Sequence, residues 1–128
     1  MTLLRVAALA ALPLALSAPI AAQPAPQGSA QTILVWSFGF SPHPIQLAAG
    51  RPVTLAFVNR SGSSHDFTAK TFFGTSRILR GDAADGEVEL KPYETKVVTL
   101  VPRAGTYTAH CSHFMHSMLG MSDKIIVS

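Results

Sequence analysis

Near the C-terminal end the chain reads His110-Cys111-Ser112-His113-Phe114-Met115-His116-Ser117-Met118-Leu119-Gly120-Met121. One thiol, three imidazoles and three thioethers fall within these twelve residues. Thiolate and thioether are soft donors and imidazole is borderline, a mixture that suits an ion cycling between Cu(I) and Cu(II). The segment offers no carboxylate, so a hard ion such as Mg or Ca is a poor match. Zinc can occupy Cys and His donors as well.

The run before it, AGTYTAHC (104–111), alternates as a strand does. Tyr107, Ala109 and Cys111 then share one face, and Thr106, Thr108 and His110 the other. If Tyr107 and Ala109 face a core, Cys111 does too, and His110 points away. A loop must therefore return the second donor. His116, five residues on, has the reach, and Met121 stands where the chain enters a last strand. Met118 competes with Met121, but two residues past His116 leave little chain to swing beneath an ion. A fourth donor must come from elsewhere, and the remaining histidines are His43, set in SPHP, and His65, in AFVNRSGSSHDF.

The elements that must hold these groups read as strands. TILVWSF (32–38) is β-branched and aromatic, with Trp36, Phe38 and Phe40 at period two expected in the core. IQLAAGRPVTLAFVN (45–59) carries Val53, Leu55 and Phe57 at period two after a Gly50-Arg51-Pro52 turn. GEVELKPYETKVVTLVP (86–102) gives two strands around Lys91-Pro92, and DKIIVS (123–128) closes the chain. SRILRGDAADG (76–86) is the one stretch with room for a helical turn. Short strands broken by Gly, Pro and Ser predict an all-β Greek-key β-sandwich in a single domain.

The chain has 128 residues, enough for one domain, with 10 Lys+Arg against 7 Asp+Glu. The basic residues are few and scattered, which argues against nucleic acid as a partner. Residues 1–22 place one arginine before a long apolar run ending in small residues, the layout of a secretory signal peptide. Pro13 and Pro19 make that run a poor membrane span. Residues 23–31, rich in Pro, Gln and Ala, read as a flexible leader, and 32–128 as the folded domain. Export to the periplasm sharpens the meaning of Cys111. Cysteines in oxidising compartments usually pair, and this one has no second cysteine in its chain.

At this point the sequence resembles the cupredoxins, the blue copper proteins. The matching residues are the Phe57-Val58-Asn59 strand end, His65-Asp66-Phe67, the Gly105-Thr106-Tyr107 approach, and Cys111-x4-His116-x4-Met121 before a terminal strand. The likeness covers roughly Ile33 to Val127. It implies an eight-stranded Greek-key sandwich with one type 1 copper near one end. By position, His65, Cys111 and His116 would be the trigonal metal ligands and Met121 the weak axial one. A His2Cys plane with a long axial Met is the blue-copper arrangement, and the metal would keep Cys111 a thiolate. Two features depart from the pattern. Asp66 stands where Asn often ties the ligand loops together, bringing negative charge near the copper. Phe114-Met115 replace the Pro-Gly that often precedes the second histidine.

The resemblance implies an exported one-electron carrier, not an enzyme, that is monomeric and docks transiently with redox partner proteins through an apolar collar of Phe114, Met115 and Leu119. The alternative is copper delivery, in which His113, Met115 and Met118 present Cu(I) to a partner. A reductase would need a second, catalytic copper, for which His110 and His113 are the spare donors. The His-Cys, His-x-x-His run is also similar to the last domain of multicopper oxidases, but the additional His-x-His pairs those enzymes need are absent from this sequence.

Overall fold

A computed structural model describes residues 28–113 and 121–128. The expected signal segment, the first part of the leader, and the 114–120 stretch carrying Phe114, Met115, His116, Met118 and Leu119 lie outside the described residues. The described part forms ten strands, β1 (Ser29–Trp36), β2 (Gly39–Ser41), β3 (Ile45–Leu47), β4 (Val53–Asn59), β5 (His65–Thr68), β6 (Arg77–Arg80), β7 (Glu87–Leu90), β8 (Thr95–Val101), β9 (Gly105–His110) and β10 (Ser122–Val127), with one short helix, α1 (Lys70–Thr75). They make two sheets, in the orders β2-β1-β4-β8-β6 and β3-β10-β9-β5-β7. The single-domain sandwich expected from the strand pattern is what is found, with ten strands where the resemblance implied eight.

Period-two patterning explains the core. In β4, Val53, Leu55, Phe57 and Asn59 are buried while the residues between them are half-exposed. Ile33 and Val35 of β1 and Val98 and Leu100 of β8 lie on the same inner face. From the second sheet, Phe67, Val88, Leu90, Ala109, Ile125 and Val127 meet them. Phe67 is central: its ring centroid lies 4.9 Å from Phe57, 5.1 Å from Phe40 and 6.1 Å from Phe73. Phe67→Ala is expected to cost about 3–5 kcal/mol. The check is a lowered urea midpoint with unchanged slope.

Several local expectations are corrected. β1 begins at Ser29, inside the stretch read as leader, because Ser29–Gln31 pair in parallel with Val53–Leu55. Of the three period-two aromatics only Phe40 is buried. Trp36 is 38% and Phe38 68% exposed, since Ile33 and Val35 take the inward face of β1, which leaves Trp36 on the outer face and Phe38 in the β1–β2 turn. The helical turn is not at 76–80: Arg77–Arg80 form an edge strand against β8, exposed at every position, so no alternation marks it. The α-helix lies just before it, at Lys70–Thr75, and buries Phe72 and Phe73. A single 3-10 turn does occur at Ala84–Gly86.

Lys91-Pro92 turns the chain between sheets rather than within a hairpin, because β7 and β8 belong to different layers. Glu94 closes this turn by accepting the Lys91 amide at 2.7 Å through its carboxylate.

Candidate metal centre

Alternation along β5 divides the site into two sides. His65 and Phe67 point inward between the sheets, and Asp66 and Thr68 point to the outer face. On β9 the same rule sends Ala109, and then Cys111, inward. The result is that the His65 Nδ1 and the Cys111 Sγ lie 3.9 Å apart, both side chains fully buried. The Cys111 amide donates to the Met121 carbonyl at 3.1 Å, which brings these two residues together, and Met121 is itself fully buried. The structure therefore brings His65, Cys111 and the Met121 backbone to one end of the sandwich. His116, the remaining residue of the expected set, lies outside the described residues.

The turn that delivers His65 is held from β4. Asn59, buried at the strand end, donates to the Ser63 carbonyl at 2.7 Å and to the Lys91 carbonyl at 2.9 Å. Its side-chain oxygen accepts the Ser61 amide at 2.9 Å and the Ser61 hydroxyl at 3.0 Å. One amide side chain thus satisfies much of the polar backbone between Asn59 and His65. Sequence reading noted Asn59 only as part of a strand end.

Asp66 ties the two donor-bearing segments together. The β5–β9 ladder is short, with Thr68 opposite His110, and two positions further along the same register would set Asp66 against Ser112. There the carboxylate replaces the backbone ladder. It accepts the Ser112 amide at 2.9 and 3.0 Å, the Ser112 hydroxyl at 2.6 Å and the Thr68 hydroxyl at 2.7 Å. Its own backbone N–H donates to Cys111 Sγ at 3.5 Å.

The other histidines are engaged differently. His113 Nε2 lies 3.1 Å from each Glu89 carboxylate oxygen and 3.6 Å from Asp66 Oδ2. His110 is half-buried on the outer face of β9. His43, 75% exposed, sets its Nδ1 2.6 Å from the buried carboxylate of Asp123.

Burial pushes the Cys111 thiol above its ordinary value of 9.0. The amides of Asp66 and His113 oppose that shift, and the charges of Asp66 and Glu89 add to it. The site without metal therefore holds a neutral thiol at pH 7, and the expected thiolate requires the metal itself. Metal uptake must then release the Cys111 proton, so apparent affinity is expected to rise with pH, by up to about tenfold per unit between about pH 7 and 8.5. Competition titrations across that range check this, and the slope should flatten in Cys111→Ala.

The donor geometry suits copper. The 3.9 Å between Sγ and Nδ1 is short enough for Cys111 and His65 to hold one ion between them. The buried thiol and imidazole match the soft and borderline donors copper takes.

The chain belongs to the cupredoxin-like domain family, whose model matches residues 5–127. Among solved structures it is similar to auracyanin B, at 21% identity over 84% of this chain and 93% of that one, with a TM-score of 0.60. It is also similar to auracyanin A, a "blue" copper protein from the green thermophilic photosynthetic bacterium Chloroflexus aurantiacus (23% identity, 78% of this chain, 100% of that chain, TM-score 0.55). A multicopper oxidase from Campylobacter jejuni shares the fold at 13% identity and a TM-score of 0.62, but this chain, 84% of which aligns, spans only 31% of it. No curated protein sequence matches. No helix among the described residues is long and apolar enough to cross a membrane.

Proposed function

We propose that this cupredoxin is an exported blue copper protein that carries single electrons, with one type 1 copper held by His65, Cys111, His116 and Met121. The observation that carries the reading is the buried pairing of His65 Nδ1 with Cys111 Sγ at 3.9 Å. Copper, when bound, supplies the Cu(II)/Cu(I) couple. The chain's own contribution is rigidity. Asn59 fixes the turn before His65, Asp66 fastens Ser112 to β5, and a backbone bond joins Cys111 to Met121. Donors held this way move little between oxidation states, which keeps the reorganisation accompanying electron transfer small. The likeness to auracyanin A, whose copper is described as blue, supports the same reading.

Small, weak interfaces suit carriers that release their partners quickly, so we take the redox partners as transient and the protein as monomeric. Periplasmic export rests on residues 1–22. The delivery alternative needs His113 turned toward a soft ion, whereas its Nε2 faces the carboxylates of Glu89 and Asp66.

The test is to add one equivalent of Cu(II) to purified protein and record its optical and EPR spectra and its voltammetry. An intense visible thiolate-to-copper band with a fast reversible wave and slow metal loss is expected. Rapid loss of Cu(I) to a chelator without a reversible wave would favour delivery instead.

A further inference from the structure

Asp66 and Glu89 stand directly opposite each other on β5 and β7. Like charges in cross-strand register are destabilising unless something positive sits between them. Here one of the two, Asp66, is fully buried, and among the described residues neither carboxylate has a lysine or arginine within ion-pair distance. A third carboxylate, Glu87, lies 3.5 Å from the Thr68 hydroxyl on the same outer face. The group that meets both Asp66 and Glu89 is the imidazole of His113. One donor atom from each of Asp66, Glu89 and His113 lies within 4.8 Å of the others.

We propose that Asp66, Glu89 and His113 form a second metal site, for a divalent cation of the zinc class, on the outer face of the sheet whose inner face carries His65 and Cys111. Two carboxylate oxygens and one imidazole nitrogen are a hard-to-borderline donor set. It suits Zn(II) and disfavours Cu(I), so the two sites differ in the ions they select. Donors about 2.0–2.2 Å from one ion lie at most about 4.4 Å apart. The His113–Glu89 and His113–Asp66 separations of 3.1 and 3.6 Å already satisfy that limit. The third separation, Asp66 to Glu89, is within 4.8 Å, and the exposed Glu89 side chain can close any excess.

Asp66 keeps its bonds to Ser112 and Thr68, which orient it as supporting hydrogen bonds orient a ligating carboxylate. The cation takes the place of the Nε2 proton between imidazole and carboxylates, and it pins Ser112-His113 to β5 and β7.

This site does not depend on the copper reading, and the test keeps the two apart. Full-length Cys111→Ala, which lacks the soft donor of the inner site, is dialysed against Zn2+ alone and its metal content measured. The same is done for Cys111→Ala/Glu89→Gln and Cys111→Ala/His113→Gln, with far-UV circular dichroism to verify folding. The expected result is the loss of one zinc equivalent per chain, or at least tenfold weaker binding, in both double variants. Equal zinc content in all three, or no zinc in Cys111→Ala, overturns the proposal. As a second measurement on the unaltered inner site, copper-loaded protein should unfold at a higher temperature with zinc present, and Glu89→Gln should remove that rise. A rise that persists in Glu89→Gln counts against the site.

Discussion

Cys111→Ala is expected to abolish the visible band of the Cu(II)-loaded protein and to weaken copper binding by more than about a hundredfold, the upper end of what losing a merely supporting residue costs. The reason is chemical and positional. The band requires a thiolate bonded to the metal, and Cys111 is the chain's single cysteine. Its Sγ sits in the buried space it shares with His65. Truncation removes one small sulfur from a site where the thiol is neutral without metal, so the fold should survive. An unchanged circular dichroism spectrum with no blue colour is the expected pair of observations. A variant that keeps the band would remove Cys111 from the site and the carrier reading with it.

Asp66→Ala is expected to destabilise the protein by about 1–3 kcal/mol, because the buried Thr68 hydroxyl loses its acceptor and the part-buried Ser112 amide and hydroxyl exchange theirs for water. The loss should appear as a lower urea midpoint with unchanged slope. Copper should also dissociate faster, since Ser112 is the residue through which the Cys111 segment is fastened to β5. Asp66→Asn keeps one acceptor oxygen and should recover part of both effects. If Asp66→Ala matches the parent in midpoint and in copper release, the carboxylate is not the tie.

The strands most legible in the sequence were those with one face in the core. β4 shows strict alternation of buried and half-exposed residues, and Val53, Leu55 and Phe57 announced it. β6 was illegible because all four of its residues are exposed. A strand held only by its edge bonds leaves no hydrophobic period to read. α1 was illegible for a related reason. Six residues are too few to display a helical period, and its Phe72-Phe73 pair fits a strand as well as a helix. Trp36 and Phe38 show the opposite failure. They alternate with each other, but the buried period of β1 runs through Ile33 and Val35, so Trp36 falls on the outer face and Phe38 in the turn that follows.

The site divides along the same line. Residue types alone determined that a soft, copper-like ion was the one to expect, and alternation determined that Cys111 faces inward with Ala109, because both are local properties of the chain. Which distant histidine stands beside the sulfur was open between His43 and His65 on spacing alone, and only tertiary structure decides it. β5 and β9 are neighbours in one sheet, so His65 lies 3.9 Å from Cys111 while His43 turns outward to Asp123. Likewise, nothing in the sequence sets Asp66 against Glu89 or aims His113 at both. That constellation joins three strands or loops far apart in the chain, and it exists only once the β5–β7 and β5–β9 registers are formed.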